Sequence, residues 1–173
     1  HFVCTYQLDW ANVDRKELED AFDLMKDADS LGSIMRFEIS QDTREHLIEA
    51  VNAYDAEQKY AEAFKNLIDG FRLIIALTNN YHALVMNPPY MGGGKMNSVL
   101  SKYVKDNYEA GKADLFSVFM QMGMERLIAN GKMAQINMQS WMFLSSFEKL
   151  RTQFLTHYNI DNMLHLGPRT FDE

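Results

Sequence analysis

The sequence feature that most restricts the fold is a short apolar run that ends in two prolines. Residues 83–86 are apolar, follow the polar pair Asn79 and Asn80, and lead into Asn87-Pro88-Pro89-Tyr90. A short apolar run bounded by polar residues and prolines is typical of a buried strand. The prolines remove two backbone donors and fix φ, so the strand must end where they begin. The run predicts a buried parallel strand with Asn87 at its carboxyl end.

Strand and helix patterns alternate along the rest of the chain. Predicted strands cover residues 2–8, 34–39, 133–138 and 160–166. Predicted helices cover residues 14–25, 98–108, 114–128 and 145–157. Asp14 with Glu17 predicts a capping box for the first of them, and Asp114 and Asn130-Gly131 predict the cap and the end of the third. A helical stripe of core residues extends over residues 42–71, with Gly70 as the candidate break between two helices, while residues 30–33 and 91–97 are predicted turns or loops. This alternation predicts an α/β fold with a mostly parallel sheet, without repeats or an interdomain linker.

Composition excludes several classes of protein. A single cysteine among 173 residues excludes an internal disulfide framework and a Cys-pair zinc site, and the five histidines lack metal-ligand spacing, so we assign no metal. No apolar run approaches the roughly 18 residues of a membrane helix, which favours a cytosolic protein without membrane partners. The sequence also lacks the G-x-S-x-G elbow of serine hydrolases.

Charge is distributed unevenly. The net charge is −7, but residues 1–90 hold 8 basic against 16 acidic side chains, whereas residues 91–173 hold 9 against 8. Nucleic-acid affinity comes mostly from neutralising phosphates, so any DNA contact is expected in the second half. The acidic excess at residues 14–29 is interpreted as a solvated helix face.

The Asn87-Pro88-Pro89-Tyr90 motif suits chemistry on a conjugated amino group. Such a nitrogen is a poor nucleophile because its lone pair is delocalised. The side-chain oxygen of Asn87 and the backbone carbonyl of Pro88 can accept its two hydrogens and stabilise the positive charge that develops as it attacks a methyl sulfonium. Tyr90 offers a ring on which an extruded base can stack. The alternative is a rigid strand exit with no catalytic role.

The motif resembles the catalytic motif of amino-group methyltransferases that use S-adenosylmethionine, above all the adenine-specific DNA methyltransferases. Further blocks resemble the large methyltransferase subunits of BREX phage-defence systems, the PglX type. These blocks begin at Met86, Asp114, Gly131, Ser140 and Phe147. The resemblance is closest over residues 83–171. It implies a Rossmann-like methyltransferase sheet in a bacterial cytoplasmic enzyme that methylates the exocyclic amine of adenine in DNA, within a restriction-modification or phage-defence system.

The resemblance also implies roles for residues outside the motif. Phe171 is expected to give the flipped adenine a second aromatic contact. Cofactor contacts are expected at Asp9, Asp114, Leu115 and Phe116, although core packing is an equal alternative for Leu115 and Phe116. A sparse basic set beside the catalytic loop could contact phosphates, with solvated surface as the alternative: Lys95, Lys102, Lys105 and Lys112.

One departure from the family pattern concerns the cofactor site. The Gly-rich turn after the first strand and the acidic residue after the second are missing, and Gly92-Gly93-Gly94 follows the catalytic strand instead. We therefore expect a truncated catalytic domain that is inactive alone. Residues 1–82 would supply the third strand and a helical insertion, and residues 83–173 the catalytic half.

Partners and alternatives follow from the same resemblance. The expected partners are duplex DNA with a flipped adenine, a specificity domain elsewhere in the parent chain and other defence-system proteins. Two other functions stay open. One is methylation of ribosomal RNA guanines or of protein glutamine with the same motif, and the other is a non-catalytic fragment whose acidic first half binds a protein.

Overall fold

A computed structural model of the chain describes residues 13–56 and 61–167. The predicted strand at residues 2–8 and the candidate site residues Asp9 and Phe171 lie outside these ranges. The chain divides into two compact units, His1–Tyr81 and His82–Glu173. Each unit is described by itself.

The first unit is helical where it is described. Its elements are α1 (Arg15–Met25), the short α2 (Ala28–Leu31), a 3-10 turn (Gly32–Ile34), α3 (Gln41–Ala56) and α4 (Ala61–Leu77). Asp14 caps α1 by accepting a hydrogen bond from the Lys16 N–H at 2.8 Å, which confirms the predicted start. Glu17 does not complete a capping box. Its carboxylate accepts from the N–H and the hydroxyl of Ser40, each at 3.0 Å.

The predicted strand at residues 34–39 is wrong. Ile34 ends the 3-10 turn, and the residues after it are extended without a strand partner in the described ranges. Met35 and Phe37 are buried while Arg36 and Glu38 are more exposed, so the segment has the side-chain alternation of a strand. Period-two burial is therefore present without a ladder of backbone hydrogen bonds.

The predicted break at Gly70 is also wrong. α3 ends at Ala56, α4 begins at Ala61, and Gly70 lies inside α4. A β-carbon at Gly70 would lie 3.2 Å from the Met25 Cε and 3.4 Å from the Phe22 Cε1. This glycine therefore allows close approach of α1 and α4 instead of ending a helix. The predicted core stripe is confirmed at Leu47, Ile68 and Phe71, which are all buried.

The second unit combines helices with a small sheet. Its elements are β1 (Tyr81–Met86), α5 (Ser98–Asn107), α6 (Leu115–Glu125), β2 (Leu127–Gln135) and α7 (Glu148–His157), with 3-10 turns at Gly93–Lys95, Gln139–Met142 and Ser145–Phe147. The two strands form a two-stranded parallel sheet. The Ile136 N–H donates to the Met86 carbonyl at 3.2 Å, so the carboxyl ends of both strands lie at one edge. The α/β class is thereby confirmed.

Two predicted boundaries of this unit are wrong. α6 ends at Glu125 instead of residue 128, because the Arg126 N–H closes its last turn on the carbonyls of Met122 and Gly123. β2 therefore begins early, and Asn130, with φ of 64°, lies within it rather than closing the helix. Residues 160–166 form no strand in the described part of the chain, where Leu164 is 82% exposed.

α6 covers one face of the sheet and leaves the other open. A β-carbon at Gly123 of α6 would lie 2.7 Å from the Met86 Cε and 2.5 Å from the Met133 Sδ. On the opposite face Val85 is 83% exposed, so the prediction of a buried strand is wrong. Away from the sheet α6 joins a core cluster that includes Trp141 and Leu150. No helix in the described ranges is long and apolar enough to cross a membrane.

Candidate active site

The Asn87-Pro88-Pro89-Tyr90 motif follows β1 directly, at the sheet edge where β2 also ends. This confirms its predicted place at the carboxyl end of a parallel strand, where open α/β sheets form their ligand crevices. Asn87, Pro89 and Tyr90 are exposed, whereas Pro88 is buried. The polar side chain of the motif is therefore available to a ligand, and the proline beside it is part of the packed interior.

Pro88 ends the ladder between the two strands. In a parallel ladder, each bonded residue contacts two residues of the neighbouring strand that lie two positions apart. Its N–H donates to the carbonyl of the first, and its carbonyl accepts from the N–H of the second. Ile136 donates to Met86, so its carbonyl faces position 88, where proline has no N–H. The hydroxyl of Tyr90 donates to this carbonyl instead, at 3.2 Å. The motif thus replaces a missing backbone donor with its own tyrosine.

The Tyr90 ring rests edge-on against Phe116. The two ring centroids lie 6.2 Å apart at an interplanar angle of 63°, a favourable edge-to-face arrangement. Phe116 is fully buried and contacts Phe147 at a centroid distance of 5.5 Å. Tyr90 itself is 47% exposed. Its hydroxyl and one side are held, and part of the ring stays open to a stacking partner.

Asp114 joins the loop after the motif to α6. Its Oδ1 accepts from the Met91 N–H at 3.0 Å and, as the N-cap of α6, from the Phe116 N–H at 3.3 Å. The Leu115 N–H donates to the Met91 carbonyl at 2.9 Å, and Gly92 forms an antiparallel bridge with Asp114. The predicted cap at Asp114 is confirmed. The bonds to the loop are an additional role that sequence reasoning missed.

Two of the residues expected to contact the cofactor, Leu115 and Phe116, face inward in this structure. Leu115 is 7% exposed and Phe116 is fully buried, while the Oδ1 of Asp114 accepts two backbone hydrogen bonds. These positions build the core and the loop, and they offer little free surface to a ligand. The burial of Leu115 and Phe116 agrees with the core-packing alternative, and their contact with the cofactor stays a prediction.

Two of the four lysines expected at DNA phosphates, Lys95 and Lys102, differ in their surroundings. Lys95 is exposed at the end of the 3-10 turn after the motif. Lys102 donates to Asp106 on the same helix at 2.7 Å, and this hydrogen bond raises the pKa of Lys102. A surface pair of this kind is weak, but the phosphate would have to compete with Asp106.

Two amide side chains near the end of β2 were not predicted as part of the site. The Gln135 Nε2 donates to the Phe116 carbonyl at 3.0 Å. The Oε1 of Gln135 and the Oδ1 of Asn137 are buried and find no donor among the described residues. Polar residues at alternate positions of the otherwise apolar run 133–138 are the sequence signal that could have marked them. In the described ranges no group of three or more His, Cys, Asp or Glu could hold a metal ion.

Comparison with known proteins places this geometry in a family. Residues 7–171 match the model of the Eco57I restriction-modification methylases. The chain is 39% identical over 171 residues to the adenine-specific methyltransferase BrxX of Escherichia coli O9:H4 (strain HS), with 94% of this chain covered. It is 37% identical over 174 residues to the adenine-specific methyltransferase PglX of Lacticaseibacillus casei (strain Zhang), with 95% covered. The chain spans 14% of the length of each relative. It belongs to the Eco57I restriction-modification methylase family.

Proposed function

We propose that this chain carries the amine-binding part of the active site of an adenine-specific DNA methyltransferase. The observation that carries the proposal is the motif itself, with Asn87 exposed directly after a parallel strand and a half-open Tyr90 ring three residues later. Two relatives of 37% and 39% identity are named adenine-specific methyltransferases, which supports adenine as the acceptor. We propose a Rossmann-like sheet as the setting, since β1, α6 and β2 match its strand-helix-strand order.

The motif residues divide the work on the target amine. Asn87 accepts one amino hydrogen at its side-chain oxygen, and the Pro88 carbonyl accepts the other. Pro88 and Pro89 cannot donate from their backbone nitrogens, so this turn presents acceptors to the amine rather than N–H groups. Both acceptors gain strength as positive charge develops on the nitrogen, which stabilises the transition state more than the bound substrate.

Tyr90 receives the extruded base. Its ring is held by the Ile136 carbonyl at one end and by the edge contact with Phe116. A ring fixed before the base arrives loses less conformational freedom on binding. Phe171 is proposed as the second aromatic contact from its place in the resemblance.

The methyl donor implied by the family is S-adenosylmethionine. When bound, it would supply an electrophilic methyl group: the sulfur–methyl bond would break as the new N–C bond forms, and the nitrogen would release its proton to water. The described residues fit the target amine better than they fit the methyl donor. Leu115 and Phe116 are buried, and the Asp114 Oδ1 already accepts two backbone hydrogen bonds. Any contact between Asp114 and the methyl donor would therefore use its second carboxylate oxygen, Oδ2.

The proposed substrate is duplex DNA from which the target adenine is flipped out. Lys95, exposed in the loop after the motif, is better placed for a phosphate than Lys102, which is paired with Asp106. Base recognition is assigned to a specificity domain elsewhere in the protein. The setting we propose is a phage-defence or restriction-modification system in the bacterial cytoplasm, alongside other defence proteins.

The test compares two exposed asparagines at opposite ends of β1 in the full-length protein. Asn87→Ala should lower the single-turnover methylation rate by about 100-fold or more, as removal of one charge-stabilising group does, while DNA affinity changes little. Asn80→Ala, just before β1, should leave the rate unchanged. Equal rates for wild type and Asn87→Ala would contradict the assignment.

A further inference from the structure

Asp114 is bonded to two groups that bear on the position of the Tyr90 ring. Met91 is the residue directly after Tyr90, and its N–H donates to the Asp114 Oδ1. Phe116 supplies the ring against which Tyr90 rests, and its N–H donates to the same oxygen. One carboxylate oxygen therefore links the backbone next to Tyr90 to the start of the helix that supports its ring.

Backbone contacts around Asp114 strengthen this link. The Leu115 N–H donates to the Met91 carbonyl, and the Gly93 N–H donates to the Ala113 carbonyl at 3.0 Å. The loop therefore lies against the residues before α6 as a short antiparallel pair. A β-carbon at Gly92 would lie 3.7 Å from the Asp114 Oδ2, an ordinary contact distance, so the carboxylate packs directly over the loop.

We infer that Asp114 is a positioning residue that holds Tyr90 in place to receive the flipped adenine. It acts through the Met91 N–H on one side of the tyrosine and through the N-terminus of α6 on the other. This inference rests on the proposed function for its substrate. The claim about the Tyr90 ring can be tested without any substrate.

Asn97 provides a matched control. It caps α5 by accepting from the Leu100 N–H at 2.8 Å, so Asn97→Ala removes a helix cap from the same unit. The cap of α5 lies in the same loop region, and its acceptor oxygen serves the Leu100 N–H of its own helix. Asp114→Ala removes a cap and the bond to the motif loop together. Asp114→Asn keeps an oxygen acceptor and a good N-cap, so it should restore most of what alanine removes.

The first measurement uses the full-length protein with 3-fluorotyrosine and no DNA. The Tyr90 resonance is assigned with Tyr90→Phe and followed by ¹⁹F NMR. It should shift or broaden in Asp114→Ala but not in Asn97→Ala or Asp114→Asn. An unchanged Tyr90 resonance in a folded Asp114→Ala protein would overturn the inference, whatever the enzyme proves to methylate.

The second measurement follows base flipping and rate. DNA with 2-aminopurine at the target position should give a smaller fluorescence gain with Asp114→Ala. At saturating DNA kcat should fall about 10- to 100-fold with little change in KM, the scale expected from a misplaced binding group. Asn97→Ala should lose similar thermal stability while keeping kcat.

The outcomes separate the two proposals. Equal kcat losses in Asp114→Ala and Asn97→Ala would reduce Asp114 to a helix cap and overturn the positioning role. If Asp114→Asn were as inactive as Asp114→Ala, the positioning role would be overturned as well. Asparagine keeps a side-chain oxygen that can accept both bonds, and that oxygen would then be present without effect. Wild-type protein without adenine methylation would contradict the proposed function instead, and the fluorine measurement would still decide the role of Asp114.

Discussion

Replacing Tyr90 with phenylalanine separates the two jobs of this side chain. The change removes only the hydroxyl, which donates to the Ile136 carbonyl at 3.2 Å. A neutral hydrogen bond contributes about 0.5–1.5 kcal/mol, and the lower end applies here because Tyr90 is 47% exposed and water competes for the bond. Ile136 is exposed as well, so a water molecule can donate to its carbonyl when the hydroxyl is removed. A loss of about 0.5–1 kcal/mol corresponds to roughly a two- to fivefold slower reaction.

Tyr90→Leu removes the ring and should cost more. Stacking of a base on an aromatic side chain contributes about 1–3 kcal/mol, or roughly 5- to 150-fold. The edge contact with Phe116 adds about 0.5–1.5 kcal/mol, part of which is lost from folding stability rather than from binding. The expected order of activity is therefore wild type, then phenylalanine close behind, then leucine well below both.

The assay is single-turnover methylation by the full-length protein, with 2-aminopurine fluorescence as the measure of flipping. Tyr81→Phe is the control, because its hydroxyl also donates to a backbone carbonyl, that of Ala76 at 2.6 Å, but at the amino end of β1. It should leave both readouts unchanged. Tyr90→Phe as slow as Tyr90→Leu would refute the claim that the ring, rather than the hydroxyl, carries most of the effect.

Two further predictions concern stability. Gly111→Ala places a β-carbon 2.5 Å from a backbone oxygen of α6 and should lower the free energy of unfolding by about 1–3 kcal/mol. Gly94→Ala is the control, because a β-carbon there has nothing within 4 Å, and its free energy of unfolding should differ from wild type by less than about 0.5 kcal/mol. Denaturant unfolding measures both. Hydrogen bonds from Thr43 and Ser40 lower the pKa of Glu17, so its contribution to stability is present at neutral pH and lost as the pH falls through that lowered pKa, below the ordinary value of 4.5. Glu17→Gln should weaken the acid dependence of the melting temperature, and an unchanged dependence would show that this carboxylate is not involved.

Features encoded within a few residues could be predicted from the sequence. Asp14 and Asp114 each accept from a backbone N–H two positions later, so the residue type and the pattern after it are enough to place a helix start. The end of β1 just before Asn87 was predictable for the same reason, since a proline cannot donate the backbone hydrogen bond that would continue a ladder. The motif and its place on a parallel strand therefore follow from local rules.

Features that depend on distant contacts were mispredicted. Gly70 is a helix breaker in most contexts, yet here it lies within α4 because two side chains of α1 pack over it. Residues 34–39 have the alternation of a strand and bury Met35 and Phe37, but no described residue forms a strand beside them. Apolar pattern predicts that a side chain is buried, and it does not say whether the surface that buries it belongs to a helix or to a sheet.

The candidate site likewise combines features set by local sequence with features set by distant contacts. Asn87 and Tyr90 could be found as a motif, but the acceptor of the Tyr90 hydroxyl lies 46 positions away and is a backbone carbonyl, which no residue type reveals. That carbonyl is left unpaired because of the register between β1 and β2, which places Ile136 opposite a residue without an N–H. Pro88 therefore does more than stiffen a turn. By removing one donor it leaves the neighbouring strand with a free acceptor, and that acceptor holds the ring of the same motif in place.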